Sequence, residues 1–418
     1  MRICIVAEHA SRRFGGEAIL PIHYFERLRA RGEDAWLVVH ARTREELQAA
    51  FPLDRDRLQF IEDAWYHRLL FKFSRILPHR IAESTVSLLS VLITQHHARN
   101  IVIGLRDSVG LDIVHQPIPV SPRFPSLLYG LKLPVVIGPM NGGMDYPPAF
   151  RRSESILSRL YVLVGRQIAE FANIVFPGKK RAAAVIVANR RTRLALPRCI
   201  KAQIVELPEN GVDLRMWAPP DKLNRDPANP SNLARFVFVG RLIDLKSLDV
   251  VIEALHEVPD AGLEVVGDGP MRKKWEDLAS QLGLSSRVSF SGWLPQSECA
   301  SRLRSARALV FPSICECGGA VVLEAMAAGV AVIATKWGGP ADYVNSETGI
   351  LVEPKSKPAL IEGFAAAMRR LIAEPELARA MGLSGRRLVE REFDWEMKLN
   401  SMMDIYQHAL TAVPQNRQ

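Results

Sequence analysis

A lone carboxylate in an apolar helix is a residue with a task. From Gly318 to Val330 the chain reads GGAVVLEAMAAGV, and Glu324 is its one charge. Such a group must find hydrogen-bond donors or bear the cost of desolvation, and a pair of ribose hydroxyls supplies two donors to one carboxylate. Glu316 precedes it by eight residues, about 12 Å along a helical axis. One glutamate can then reach the sugar end of a nucleotide-sugar and the other its ribose, with the phosphates between. Gly318 and Gly319, followed by Ala320, open the helix with bare N–H groups and the positive end of the dipole. Upstream, Gly240-Arg241-Leu242 ends an apolar run and Lys246 follows five residues after Arg241. Two cations beside a helix start suit a diphosphate, through Coulomb attraction and the bidentate Arg fork. A third glycine turn, Gly267-Asp268-Gly269-Pro270, is weak by itself, since any tight strand-to-helix connection can use one. Taken singly, each of these residues has a plain alternative: a solvent-facing Glu, a surface Arg or Lys.

The first half offers fewer candidates. Gly15 and Gly16 lie in the loop after the first apolar run. His115 ends the run Leu111-Asp112-Ile113-Val114 and reads either as a hydrogen-bonding group in a site or as a buried structural histidine. Asn141-Gly142-Gly143, after Gly138-Pro139, is a further candidate loop.

These residues need elements to position them. Arg2 to Ala7 reads as a strand, followed by a glycine loop and a helix over 18–31; Ala35 to Val39 reads as the next strand. Short apolar runs at 113–114, 135–137, 174–176 and 204–207 continue the strand series, with helical segments between several of them. Between 215 and 235 the chain turns to Pro219, Pro220, Pro227 and Pro230 among Asp, Asn and Lys, the texture of a linker. The alternation then restarts, with strands expected at 236–239, 263–266, 288–290, 308–311 and 330–334. Helices are expected from about 248, 270, 297 and 357, and one through Glu324. Short strands alternating with helices predict parallel sheets with crossover helices. We therefore expect an N-terminal domain over 1–214, a linker over 215–234 and a C-terminal domain over 235–394. A final amphipathic helix over 395–418 is expected to pack back on the first domain. Two such doubly wound units would face a central cleft at their strand carboxyl ends, where these sheets bind ligands.

Composition supports a globular chain of more than one domain. It has 418 residues, 48% of them hydrophobic and 24% charged, close to the average for folded proteins. Apolar runs are too short for a membrane span or a signal peptide, so a cytoplasmic protein is expected, with peripheral contact at the inner face of a membrane as a further reading. Five cysteines, an odd number, fit a reducing compartment. Cys315 and Cys317 lack the CxxC or His company of a zinc site, and no metal is expected. The formal charge of +9 is uneven: residues 1–220 carry 31 Lys and Arg against 20 Asp and Glu, and residues 221–418 carry 23 against 25. An acidic partner for the first half follows, whether a membrane, a phosphorylated substrate or nucleic acid. No helix-turn-helix, RNP or zinc-finger signature supports nucleic acid. Residues 64–80, AWYHRLLFKFSRILPHR, hold four Lys and Arg and no acid. Trp65, Leu69, Phe73 and Ile76 fall near helical spacing there, the pattern of an interfacial membrane segment or of a helix packed on its own domain.

Taken in order, Gly240-Arg241-Leu242 with Lys246, Gly267-Asp268-Gly269-Pro270, the Glu316-x7-Glu324 segment and Glu209-Asn210-Gly211-Val212-Asp213 resemble family 4 of the retaining glycosyltransferases with the GT-B fold, also called glycosyl transferases group 1. The resemblance implies a nucleotide-sugar donor, UDP-hexose or GDP-mannose, bound mainly by the second domain without a metal or cofactor. It implies a saccharide or lipid-linked acceptor bound by the first domain, as in surface polysaccharide synthesis. By the family pattern Arg241 and Lys246 hold the diphosphate, Glu316 the sugar hydroxyls and Glu324 the ribose. Gly240, Cys317, Gly318, Gly319 and Ala320 border the donor, and Gly15 and Gly16 match the family's N-terminal glycine loop. His115 matches a histidine that hydrogen-bonds the transferring sugar. Two departures stand out. The family's aromatic two residues after its first Glu is absent, with Gly318 there, and its glutamate after Gly338-Gly339 is Asp342 here. Two other readings remain open at this point: a nucleotide-sugar epimerase or phosphorylase on the same fold, and a non-catalytic scaffold using the basic half.

Overall fold

Strands buried on both faces have no reason to alternate polar and apolar residues, and these do not. Val135-Val136-Ile137 and Ala184-Val185-Ile186-Val187 are buried at every position, the mark of parallel sheets covered by helices on both sides. In the computed structural model, which describes residues 1–13, 16–63, 87–153, 156–219 and 233–412, they belong to the first of two wholly parallel sheets.

That sheet holds β1 (Arg2–Val6), β2 (Asp34–His40), β3 (Leu58–Ile61), β4 (Ile113–Gln116), β5 (Val135–Met140), β6 (Ala184–Val187) and β7 (Gln203–Glu206), in the order β3-β2-β1-β4-β5-β6-β7. The second holds β8 (Ala234–Val239), β9 (Ala261–Val266), β10 (Val288–Gly292), β11 (Ala308–Phe311), β12 (Ala331–Thr335) and β13 (Gly349–Val352), in the order β10-β9-β8-β11-β12-β13. Both are doubly wound. The order of winding reverses between β1 and β4 in one sheet and between β8 and β11 in the other, and the loops leaving these parallel strands diverge, which leaves room for a ligand at their carboxyl ends.

The chain divides into two units. One gathers Met1–Gly143, Ser155–Glu209 and the chain from Leu399 onward; the other gathers Met144–Glu154 and Asn210–Lys398. The helix Trp395–Ala412 thus ends in the first unit, and its Tyr406 is fully buried there. Segment 144–154 belongs to the second unit, where Phe150 packs on the core, a change of allegiance that no composition shift marks. The motif at 209–213 holds the start of the second unit: Val212 N–H donates to Phe393 O (2.8 Å) and Trp395 N–H to Val212 O (3.2 Å). A Cβ on Gly211 would meet the Trp395 ring at 2.9 Å.

The expected strand at 174–176 is corrected: Ile174 and Val175 end the helix Ile156–Val175. β-Branched residues there follow a 3.6-residue period begun upstream, and the helical period wins over strand propensity. The strand of that region is β6, ten residues later. β3 and β13 were not separable from loops on the sequence, being short edge strands with two half-buried positions each. The amphipathic segment 64–80 lies outside the described residues.

Candidate functional site

The second unit builds its site at the β8–β11 switch point. β8 delivers Gly240 to Ser247, β11 delivers Pro312 to Gly319, and the two loops are tied together. Ile314 N–H and the Ser313 hydroxyl both donate to Leu245 O, each at 3.1 Å. Across this tie the Lys246 ammonium forms an ion pair and hydrogen bond with Glu316 Oε2. Both side chains are largely buried, and the ammonium also sits 4.8 Å from the centroid of the Phe311 ring, a cation–π contact. Arg241 is exposed at the mouth and forms no ion pair with a described residue, so its charge is available.

Glycines let these strands' loops approach. Gly240 N–H donates to Val266 O (3.0 Å) and Leu242 N–H to Asp268 O (2.9 Å). A Cβ on Gly267, at φ +134°, would overlap the Gly240 carbonyl. Gly338 and Gly339 back the Glu316 loop: Gly339 N–H donates to Glu316 O (2.9 Å), and Cβ atoms at these positions would overlap the Glu316 and Gly318 carbonyls. Gly319, left-handed at φ +74°, starts the helix Ala320–Ala327 with no side chain capping it. Its first N–H groups are therefore open to an external acceptor. Gly318 is buried, Cys317 and Gly319 half-buried and Ala320 exposed.

Glu324 is half-buried in this helix and, among the described residues, has no cationic partner. Burial pushes its carboxyl up to about 7. It also adds to the burial that raises the nearby Cys299 thiol to about 11. An unpaired carboxylate held this way gains strongly from any ligand that brings hydroxyl donors.

In the first unit the corresponding switch point, β1 and β4, carries residues that the motif reading missed. Glu8 and His9 follow β1. Glu17, in the 3-10 turn Gly16–Ile19, accepts from Val120 N–H beyond β4 at 3.2 Å. Burial pushes Glu8 up to about 7, opposed by Arg42 and helped by Glu17, and burial pulls His9 down. The signal available in sequence was only their place directly after the first strand. Gly16 is exposed at φ +55°; Gly15 lies outside the described residues.

His115 is not free to meet a sugar, and that expectation is corrected. The ring is fully buried, with Nε2 on Gly138 O at 2.7 Å and Nδ1 on the Tyr406 hydroxyl at 2.8 Å. Tyr24 packs edge-on against it, centroids 4.7 Å apart. A histidine at a strand end is equally well placed to lock two elements, and here it does. Asn141-Gly142-Gly143 is likewise a packed turn. Gly142 N–H donates to Thr192 Oγ1 (3.1 Å), and a Cβ on Gly142 would meet Pro122 Cδ at 2.5 Å.

Known proteins resemble this chain in sequence over the second unit and in fold over nearly all of it. Residues 221–388 match the family model described as glycosyl transferases group 1. A GDP-mannose-dependent alpha-(1-6)-phosphatidylinositol monomannoside mannosyltransferase of Mycolicibacterium smegmatis is 32% identical over 225 residues, which cover 50% of this chain and 57% of that protein. The chain spans about half the length of the curated relatives it matches. Over nearly its whole length the fold is similar to that of sucrose-phosphate synthase from Thermosynechococcus elongatus (TM-score 0.68, 20% identity, 99% of this chain and 100% of that one). It is similar also to HepE of Anabaena, solved in complex with UDP-glucose (TM-score 0.66, 15% identity, 97% and 99%). The chain has the GT-B fold, and over residues 221–388 it matches the glycosyl transferases group 1.

Proposed function

We propose that this protein is a retaining, metal-independent glycosyltransferase that moves a hexosyl group from a nucleotide-sugar to a saccharide or lipid-linked saccharide, in the synthesis of a surface polysaccharide. The observation that carries the reading is the Lys246–Glu316 pair at the β8–β11 switch point, in the loops that also carry Arg241 and the uncapped start of the helix that holds Glu324. A nucleotide-sugar has a matching sequence of groups: hydroxyls, two phosphates, then a ribose diol. The family match over this segment supports the donor class. So do the GDP-mannose dependence in the name of the Mycolicibacterium relative and the UDP-glucose bound to HepE.

In the proposed reaction the bond from the anomeric carbon to the β-phosphate oxygen breaks, and its electron pair stays on that oxygen. Arg241, Lys246 and the N–H groups of Gly319 and Ala320 are preorganised to stabilise the charge that develops there. The acceptor hydroxyl attacks the same face of the sugar and gives its proton to the departing phosphate, so the configuration is retained. Glu316 orients the donor sugar through its hydroxyls, and Glu324 holds the ribose. The acceptor is assigned to the first unit, with Glu8, His9 and Glu17 in the segment after β1 and Arg42 after β2 as its hydroxyl-binding groups.

Thermal denaturation with a panel of UDP-, GDP- and ADP-sugars tests the donor class; one base should raise the melting temperature well above the others. Nucleoside diphosphate should then appear only when acceptor is added, and in the presence of EDTA. Proton NMR of the product reads the anomeric configuration. No stabilisation by any nucleotide-sugar would remove the proposal.

A further inference from the structure

The chain makes a detour that packing alone does not explain. Met144–Glu154 belongs to the second unit, although the chain before and after it belongs to the first. Phe150 rests on the second unit's core and Pro147 is buried, which fixes the segment in place. Phe150 N–H donates to Pro147 O at 2.8 Å. Arg151 pairs with Asp145 Oδ2 at 2.7 Å, and its Nε donates to Tyr146 O at 3.0 Å. Two adjacent prolines, Pro147 and Pro148, stiffen the turn, since each locks its own φ. The Trp337 indole anchors the first residues: Nε1 donates to Asp145 O at 2.8 Å.

This anchoring sets Met144 against the Glu316 loop. A Cβ on Gly338 would overlap the Glu316 carbonyl and would meet Met144 Cε at 2.8 Å. The end of the thioether therefore lies on bare main chain, beside the residue whose carboxylate pairs with Lys246. Glu316 is followed by Cys317, Gly318 and Gly319, so its own loop supplies little side chain to enclose a ligand. Met144 and Trp337 are half-buried and supply what the loop lacks. A thioether is apolar and polarisable, has no hydrogen to donate and accepts only weakly. The C–H groups of a sugar pack well on it, whereas a hydroxyl turned toward it leaves water without gaining a partner. Glu316 has the opposite preference, for hydroxyl donors. Two neighbours with opposed preferences read the direction of each hydroxyl, which is what separates one hexose from its epimer.

We propose that Met144 is a specificity residue of the donor-sugar subsite, which selects among hexose epimers by disfavouring a hydroxyl on its side. Trp337 is the positioning residue that holds it there. This rests on the donor reading above and adds to it what distinguishes one hexose from another.

Calorimetry on the full chain tests it, with UDP-glucose, UDP-galactose, GDP-mannose, GDP-glucose, UDP and GDP as probes. The parent should bind one hexose roughly tenfold more tightly than its epimer on the same nucleotide. Met144→Ala should narrow that ratio to about twofold, with the affinity for the nucleoside diphosphate alone unchanged. Met144→Leu conserves volume and apolarity and should keep the parent's ratio. Trp337→Phe keeps a ring but loses the bond to Asp145 O, and should narrow the ratio as Met144→Ala does, again with nucleoside diphosphate bound as before. The proposal is overturned if the parent binds the epimers equally or if Met144→Ala keeps the parent's ratio. It is overturned also if Met144→Ala weakens nucleoside diphosphate and nucleotide-sugar alike, which would make Met144 only a prop for the Glu316 loop. A parent that binds none of the six probes overturns the donor reading and this inference together. A parent that binds them, with Met144→Ala indistinguishable from it, overturns this inference alone.

Discussion

Glu324 is a carboxylate whose ionisation the fold opposes. Its ordinary value is 4.5 and burial lifts it to about 7. Between these values the folded chain keeps a proton that the unfolded chain releases, so stability is lost as pH rises through the window. Glu324→Gln should remove that slope: thermal denaturation at about pH 5 should show little change, and at about pH 8 a gain of up to roughly 3 kcal/mol. The same substitution should weaken nucleotide-sugar binding by roughly tenfold or more, because a charged acceptor for hydroxyl donors is lost. More stable and less active is a combination that a merely surface glutamate cannot give. Arg241 is the complementary case. Exposed and unpaired among the described residues, it should tolerate Arg241→Ala within about 0.5 kcal/mol of stability. Turnover should fall roughly a hundredfold, the scale of one lost group at a developing charge; unchanged kcat in the purified variant would take Arg241 out of the site.

At the scale of elements, the site depends on how closely loops from neighbouring strands approach. Gly338 sits at φ +66° behind the Glu316 loop, where a side chain would overlap the Glu316 carbonyl. Gly338→Ala must therefore move that loop or strain it, and with it the partner of Lys246. A cost of about 2–4 kcal/mol is expected, with donor affinity lost in step; calorimetry with nucleoside diphosphate reads both. Gly104 is the control. It lies within the helix Ser87–Val109 with open space where a Cβ would go, and Gly104→Ala should stabilise by about 0.5–1 kcal/mol.

For the whole molecule, the question is what the chain's return to the first unit accomplishes. Tyr406, near the end of the last helix, reaches His115 Nδ1, and the pair is enclosed with Tyr24. Tyr406→Phe removes the hydroxyl from its hydrogen bond with the buried imidazole and should cost about 1–3 kcal/mol. If His115 is a structural clasp, the damage is to stability, with KM and kcat unchanged in the folded fraction at low temperature. A fall in kcat without loss of stability would return His115 to the chemistry.

The sequence by itself determined the two parallel sheets, because strands buried on both faces are written as short apolar runs between helical periods, and these survive any tertiary arrangement. It determined also where Arg241, Lys246, Glu316 and Glu324 lie along the second unit, since they follow strand ends or helix starts whose positions local pattern fixes. Tertiary structure decided what spacing cannot encode. Whether His115 faces a ligand or a tyrosine depends on a residue 291 positions away. Whether Ile174 and Val175 form a strand or the exposed edge of a helix depends on the period inherited from upstream. The gathering of Glu8, His9 and Glu17 with Val120 depends on which strand lies beside β1. Contacts between distant segments are set by packing, and packing is settled only when the whole chain has found its neighbours.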